Sequence, residues 1–125
     1  MNTEEFSSME KKVTLNWLLA FYGNLLTDTQ QEMARLYWEE DYSLAEIASQ
    51  FSVSRQSVHD TVSRTEKKLE AWEEKLGMLR RFRAIEDGLN ECKNQLRLVK
   101  ASENTEIHLK NVCDLIGSML DQEEE

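Results

Sequence analysis

The chain has 125 residues, 40% of them apolar, and carries 24 acidic against 15 basic side chains for a formal charge of −9. This is enough apolar content for a core, without the basic excess usual in proteins that neutralise phosphate backbones. Proline is absent and glycine occurs four times, which excludes a turn-rich sheet and points to an all-α fold. No apolar run is long enough to span a bilayer, and the acidic opening MNTEEFSSMEKK lacks the basic-then-apolar order of a secretion signal, so a cytoplasmic protein with no membrane contact is expected.

In chain order, residues 1–8 are expected to be disordered. From Met9, MEKKVTLNWLLAFYG sets Val13, Trp17 and Phe21 on one side with Leu18 and Tyr22 beside them, a wide apolar helical face, and Gly23 is a stop signal just beyond it. Thr27 and Gln30 make a T-x-x-Q capping box, in which each side chain satisfies a free backbone donor at a helix start. The helix it opens, TDTQQEMARLYWEED, is expected to bury Met33, Leu36 and Tyr37 and to expose Glu32, Arg35 and Glu39. Trp17 and Trp72 read as core or interface anchors, and Trp38 as partly exposed.

Ser43 and Glu46 repeat the capping box, and behind it Leu44, Ile47, Ala48 and Phe51 recur at helical spacing as one buried stripe. Ser52 breaks the pattern, Val53 restores it, and Ser54 is placed to cap a second helix that turns Val58, Val62 and Thr65 inward. Arg55, Gln56, His59, Asp60, Ser63 and Arg64 are left facing out. Ala48 supplies the small residue that two steeply crossing helices need. These are the requirements of a helix-turn-helix, whose second helix can enter a DNA major groove; a plain helical hairpin with a three-residue turn is the alternative. Ser52, ending the first helix, is expected in the left-handed backbone conformation. Between Ser54 and Lys68, Arg55, Arg64, Lys67 and Lys68 outnumber Asp60 and Glu66, a local charge of +2. Arg55, Gln56, His59 and Arg64 are the candidate contacts to bases or backbone, and Lys67 and Lys68 the candidate phosphate contacts.

Beyond the motif, apolar positions continue at Leu69, Trp72, Leu76, Leu79, Phe82, Ile85, Leu89, Cys92, Leu96 and Val99, in steps of three and four. The second helix of the motif is therefore expected to run on, with Gly77 and Gly88 as sites for kinks or breaks. A further helix from about Ser102 to Leu120 presents Leu109, Val112, Ile116 and Met119, and residues 121–125 form an acidic tail. The expected organisation is a helix-turn-helix bundle over 9–68 and a helical extension over 69–120. That extension buries its stripes either in a homodimer or in an antiparallel hairpin of one chain. Cys92 and Cys113, without paired spacing, read as buried reduced thiols. His59 and His108 lie far apart with no ligands at metal spacing, and no nucleotide-binding or metalloprotease motif occurs, so no metal, no cofactor and no enzymatic activity are expected.

The segment FYGNLLTDTQQEMARLYWEEDYSLAEIASQFSVSRQSVHDTVSRTEKKLEAWEEKLGML resembles the YlxM (p13 or UPF0122) family of small Gram-positive bacterial proteins, closely over about residues 10–82. Its helix-turn-helix is also similar to region 4 of sigma factors, which reads a promoter element. The resemblance implies an all-helical fold with a C-terminal dimerisation extension and a role in the signal recognition particle pathway. The partners it implies are DNA or the particle's RNA and, in the alternative, the particle's GTPase, with the protein as a scaffold. Arg55 and Gln56 suit the sigma-like pattern, whereas Ser57, His59 and Asp60 stand where more basic side chains are usual.

Overall fold

Caps decide where most of these helices begin. The computed structural model describes residues 3–101 and 105–123, with six α-helices and no strand among the described residues. Helix α1 (Thr3–Tyr22) passes into a 3-10 turn (Gly23–Leu25), followed by α2 (Asp28–Trp38), α3 (Leu44–Phe51), α4 (Arg55–Leu76), α5 (Met78–Ala101) and α6 (Thr105–Glu123). The chain forms two compact units, Met1–Leu79 and Arg80–Glu125. Both capping boxes are closed: the Gln30 and Glu46 amides donate to the Thr27 and Ser43 hydroxyls, and the Gln30 and Glu46 side chains accept from the Thr27 and Ser43 amides. The Ser54 hydroxyl accepts from the Ser57 amide at 3.0 Å and starts α4. Residues 1–2, 102–104 and 124–125 lie outside the described residues, so the expected start at Ser102 and the end of the acidic tail are not described. At the other end, α1 is already helical from Thr3, ahead of the expected start at Met9.

In the first unit, α1 packs on α2 and α4, and α4 also packs on α2 and α3. Its core is built from Leu15, Leu18, Leu19 and Tyr22 of α1, Met33, Ala34, Leu36 and Trp38 of α2, Ile47 and Ala48 of α3, and Val58, Val62, Thr65 and Leu69 of α4. This corrects the expected phase of α1. The buried stripe is Leu15–Leu18–Leu19–Tyr22, while Val13 and Trp17 are 53% and 39% exposed. The apolar arc of α1 is wider than one stripe, and the positions of α2 and α4 select which part is covered. In α2 the expectation is reversed at one step: Tyr37 is exposed and Trp38 buried. Trp38 lies one turn after fully buried Ala34, on the same buried face of α2.

Ser52 adopts φ 56° and ψ 44°, the left-handed conformation expected of it. The Val53 amide donates to the Ala48 carbonyl at 3.0 Å and the Ser52 amide to the Ser49 carbonyl at 3.4 Å, the paired bonds of a Schellman turn. The reversal carries Val53 outward, so it is exposed rather than part of the buried stripe.

Helix α4 runs past the motif as expected, but the long seam is cut at Gly77, whose φ of 61° ends it. Leu69 and Leu79 fall in the core of the first unit, and Leu76 is exposed. Across the cut, the Tyr22 hydroxyl donates to Glu73 Oε1 at 2.8 Å and accepts from the Met78 amide at 3.1 Å. Glu73 Oε1 also accepts from the Leu79 amide at 2.9 Å. The first two donors of α5 are thereby satisfied by a phenol and a carboxylate rather than by a serine or threonine cap. Gly88, the other expected break, sits inside continuous α5.

In the second unit, α5 and α6 run antiparallel: Met119 lies over Gly88, the Cys92 thiol is 3.9 Å from the Val112 carbonyl, and His108 Nδ1 is 3.0 Å from Gln95 Oε1. Cys92 is buried, but Cys113 is exposed, because α6 turns that position away from α5. Within the described residues, no helix is long and apolar enough to cross a membrane.

Candidate nucleic-acid interface

The crossing of α3 and α4 holds the candidate face in place. Ile47 and Val58, both with no exposed surface, belong with Ala48 to one buried core, and the capped starts of the two helices fix their ends. With Val58, Val62, Thr65 and Leu69 turned into the core, helical geometry leaves Arg55, Gln56, His59, Asp60, Ser63, Arg64, Lys67 and Lys68 on the other side of α4. Arg55, Gln56, His59, Arg64, Lys67 and Lys68 are all exposed, spread over the broad arc of α4 that the core leaves open, with Arg55 and Arg64 about two and a half turns apart on opposite sides.

Their surroundings differ. Lys68 Nζ reaches Gln30 Oε1 at 3.4 Å, which places the Lys68 edge towards α2. Glu66 lies on the opposite edge and pairs with Lys11 of α1 at 2.8 Å. Gln56 Nε2 donates to Asp60 Oδ1 at 3.0 Å, and His59 Nδ1 lies 3.6 Å from the same oxygen. Arg55, Arg64 and Lys67 make no hydrogen bond or ion pair with any described residue.

The remaining cations of the Lys11–Arg35 stretch are neutralised. Lys11 is held by Glu66, Lys12 by Asp41, and Arg35 by Glu32 at 2.6 Å and Glu40 at 3.3 Å. Hydrogen bonding to Glu66 raises the Lys11 pKa, and the bond to Arg35 lowers that of Glu32. Exposed pairs of this kind contribute little stability, but they cancel charge locally. Sequence reasoning did not find this partition. Lys11 and Glu66 are far apart in the chain, and no periodicity marks them as partners.

A groove of about 470 Å³ runs beside the same face, floored by Leu15, Trp38, Leu44 and Val62 and edged by Tyr37, Tyr42 and His59. Among the described residues, no group of three or more His, Cys, Asp or Glu side chains could hold a metal ion.

Residues 9–112 match the family described as "Putative helix-turn-helix protein, YlxM / p13 like". The chain belongs to this family. It is 44% identical over 86 residues to the UPF0122 protein YlxM of Bacillus subtilis, covering 69% of this chain and 78% of that one. Against a UPF0122 protein of Listeria innocua the identity is 42% over 107 residues, covering 82% and 97%. A Geobacillus kaustophilus relative is 51% identical over 74 residues, covering 59% of this chain and 67% of its own. The helix-turn-helix in the family's description corresponds here to α3, the Ser52 turn and the first turns of α4.

Proposed function

We propose that this protein is a non-enzymatic DNA-binding module whose α4 lies in the major groove. The observation that carries the reading is the partition of charge. Lys11, Lys12 and Arg35 are neutralised by carboxylates, whereas Arg55, Arg64 and Lys67 stand unpaired among the described residues along the solvent-exposed side of the motif's second helix. A formal −9 for the whole chain therefore coexists with a locally available cationic surface. A major groove about 12 Å wide admits an α-helix, with Arg55, Gln56 and His59 nearest the bases and Arg64, Lys67 and Lys68 reaching towards phosphates. The A-form major groove of paired RNA is too narrow for such entry, so an RNA ligand would be met in unpaired segments.

The proposed setting is the signal recognition particle pathway, through regulation of its genes or contact with its RNA. The second reading, a scaffold for the particle's GTPase, is favoured by the net acidity. Anisotropy titrations of the full chain with duplex DNA, the particle's RNA and its GTPase, each at several salt concentrations, separate these readings. DNA binding is expected, with Arg64→Ala and Lys67→Ala each flattening the log–log salt slope by about 0.9. Binding to the GTPase alone, unaffected by these variants, refutes the α4 reading.

The proposal includes a homodimer through the second unit, where Leu89, Leu96, Leu109 and Ile116 are each 44–56% exposed. The dimer and the intrachain hairpin are then compatible, because the hairpin leaves these side chains outside. Leu96→Glu should convert a dimer to a monomer in light scattering; a monomeric wild type removes this part of the proposal.

A further inference from the structure

We infer that Asp60, with Gln56 held against it, selects bases bearing an exocyclic amino group in the major groove, adenine or cytosine, at the position it faces. This rests on the placement of α4 proposed above. Gln56 and Asp60 are one turn apart and joined by a 3.0 Å bond from Nε2 to Oδ1. His59 Nδ1 approaches the same Oδ1 at 3.6 Å. Both neighbours thus gather on one oxygen, and Oδ2 has no hydrogen-bond or ion-pair partner among the described residues. With its amide nitrogen drawn to Asp60, Gln56 has its carbonyl oxygen available as an acceptor. The Asp60 side chain is 48% exposed, so the acceptor pair is accessible.

The Asp60 carboxylate can only accept, and it meets the four bases unequally. Guanine offers N7 and O6, and thymine O4 and a methyl group, so neither supplies a donor there. Cytosine offers its N4 amino group and adenine its N6 amino group. For adenine, the second N–H of Gln56 can also reach N7 while Oε1 accepts from N6, the usual bidentate match. The carboxylate is repelled by phosphates and by the wrong bases, so it lowers affinity wherever no amino group meets it. That unfavourable element is a source of specificity rather than a defect of the binding face.

The test is a selection from a random duplex DNA pool with the full-length protein, repeated with Asp60→Asn and Gln56→Ala. Matching thermal melts first establish that these exposed-site variants fold. Wild type is expected to enrich adenine or cytosine on the contacted strand at one position, on the order of tenfold over guanine or thymine. Asp60→Asn should shrink that excess, most for cytosine, and bind the unselected pool more tightly, and Gln56→Ala should lose the adenine share while keeping cytosine. Enrichment of guanine or thymine at that position, an unchanged excess in Asp60→Asn, or binding without any positional preference overturns the inference and leaves DNA binding standing. Absence of duplex binding by every variant overturns the α4 reading itself, and the inference with it.

Discussion

Ser52→Gly should stabilise the protein, and the size of the effect follows from the backbone. At φ 56° and ψ 44°, the serine Cβ crowds the following carbonyl, which costs an L-residue roughly 1–2 kcal/mol. The two bonds that close the turn come from the Ser52 and Val53 amides, so they survive any side-chain change. Ser52 is exposed, and its hydroxyl makes no hydrogen bond to a described residue, so little is lost with it. Glycine relieves the crowding but widens the unfolded ensemble by roughly 0.5–1 kcal/mol, leaving a net gain of about 0.5–1 kcal/mol. With a urea dependence of about 2 kcal/mol/M, the midpoint should rise by about 0.3–0.5 M. Ser52→Val should lower it, because a β-branched side chain tolerates this region worst. Asp41, also left-handed at φ 58°, is an internal comparison: aspartate accepts the conformation more readily and pairs with Lys12, so Asp41→Gly should gain less. Urea melts of the three variants decide the matter. A clear loss on Ser52→Gly together with tolerance of Ser52→Val would refute the assignment of strain to this turn.

Tyr22→Phe deletes a phenol that donates to Glu73 and accepts from the Met78 amide, and it should cost about 1.5–3 kcal/mol in urea melts. Amide exchange should also quicken at Met78; unchanged protection there would mean the phenol does not hold the start of α5. A Cβ on Gly88 would meet the Met119 thioether, which has to move aside, so Gly88→Ala should gain less in the wild type than the roughly 0.8–1 kcal/mol expected in a Met119→Ala background, where helix propensity alone acts. Identical effects in both backgrounds would contradict the α5–α6 contact. Glu32 is held below its ordinary pKa of 4.5 by the hydrogen bond from Arg35. A depressed carboxylate lends stability above the unfolded pKa and loses it as pH falls through the folded one. Glu32→Gln should therefore flatten the decline of stability below about pH 4.5, seen in melts across that range; an unchanged slope would assign the decline to other carboxylates.

Local chemistry was legible from the residues alone. The boxes Thr27–Gln30 and Ser43–Glu46, the Ser54 cap, the left-handed Ser52 and the inward Val58, Val62 and Thr65 all follow from neighbours within a few positions, because caps and helical faces are short-range properties. The exposure of the six candidate contacts was readable for the same reason. Tertiary structure decided what depends on distant elements. Trp17 and Trp38 exchanged their expected environments, because the packing of α1, α2 and α4 against one another selects which arc of each helix is covered. Of the two expected break sites, Gly77 and Gly88, only Gly77 divides the apolar seam, and there Tyr22, far back in the chain, supplies a cap that no local motif announces. The balance of charge was decided in the same way. Lys11 finds Glu66 and Lys12 finds Asp41 only once α1 lies against its neighbours, and this leaves the unpaired cations of the motif on the outer face of α4. A sequence gives net charge and period; which charges cancel and which stripes are covered are set by the packing of segments that the chain separates.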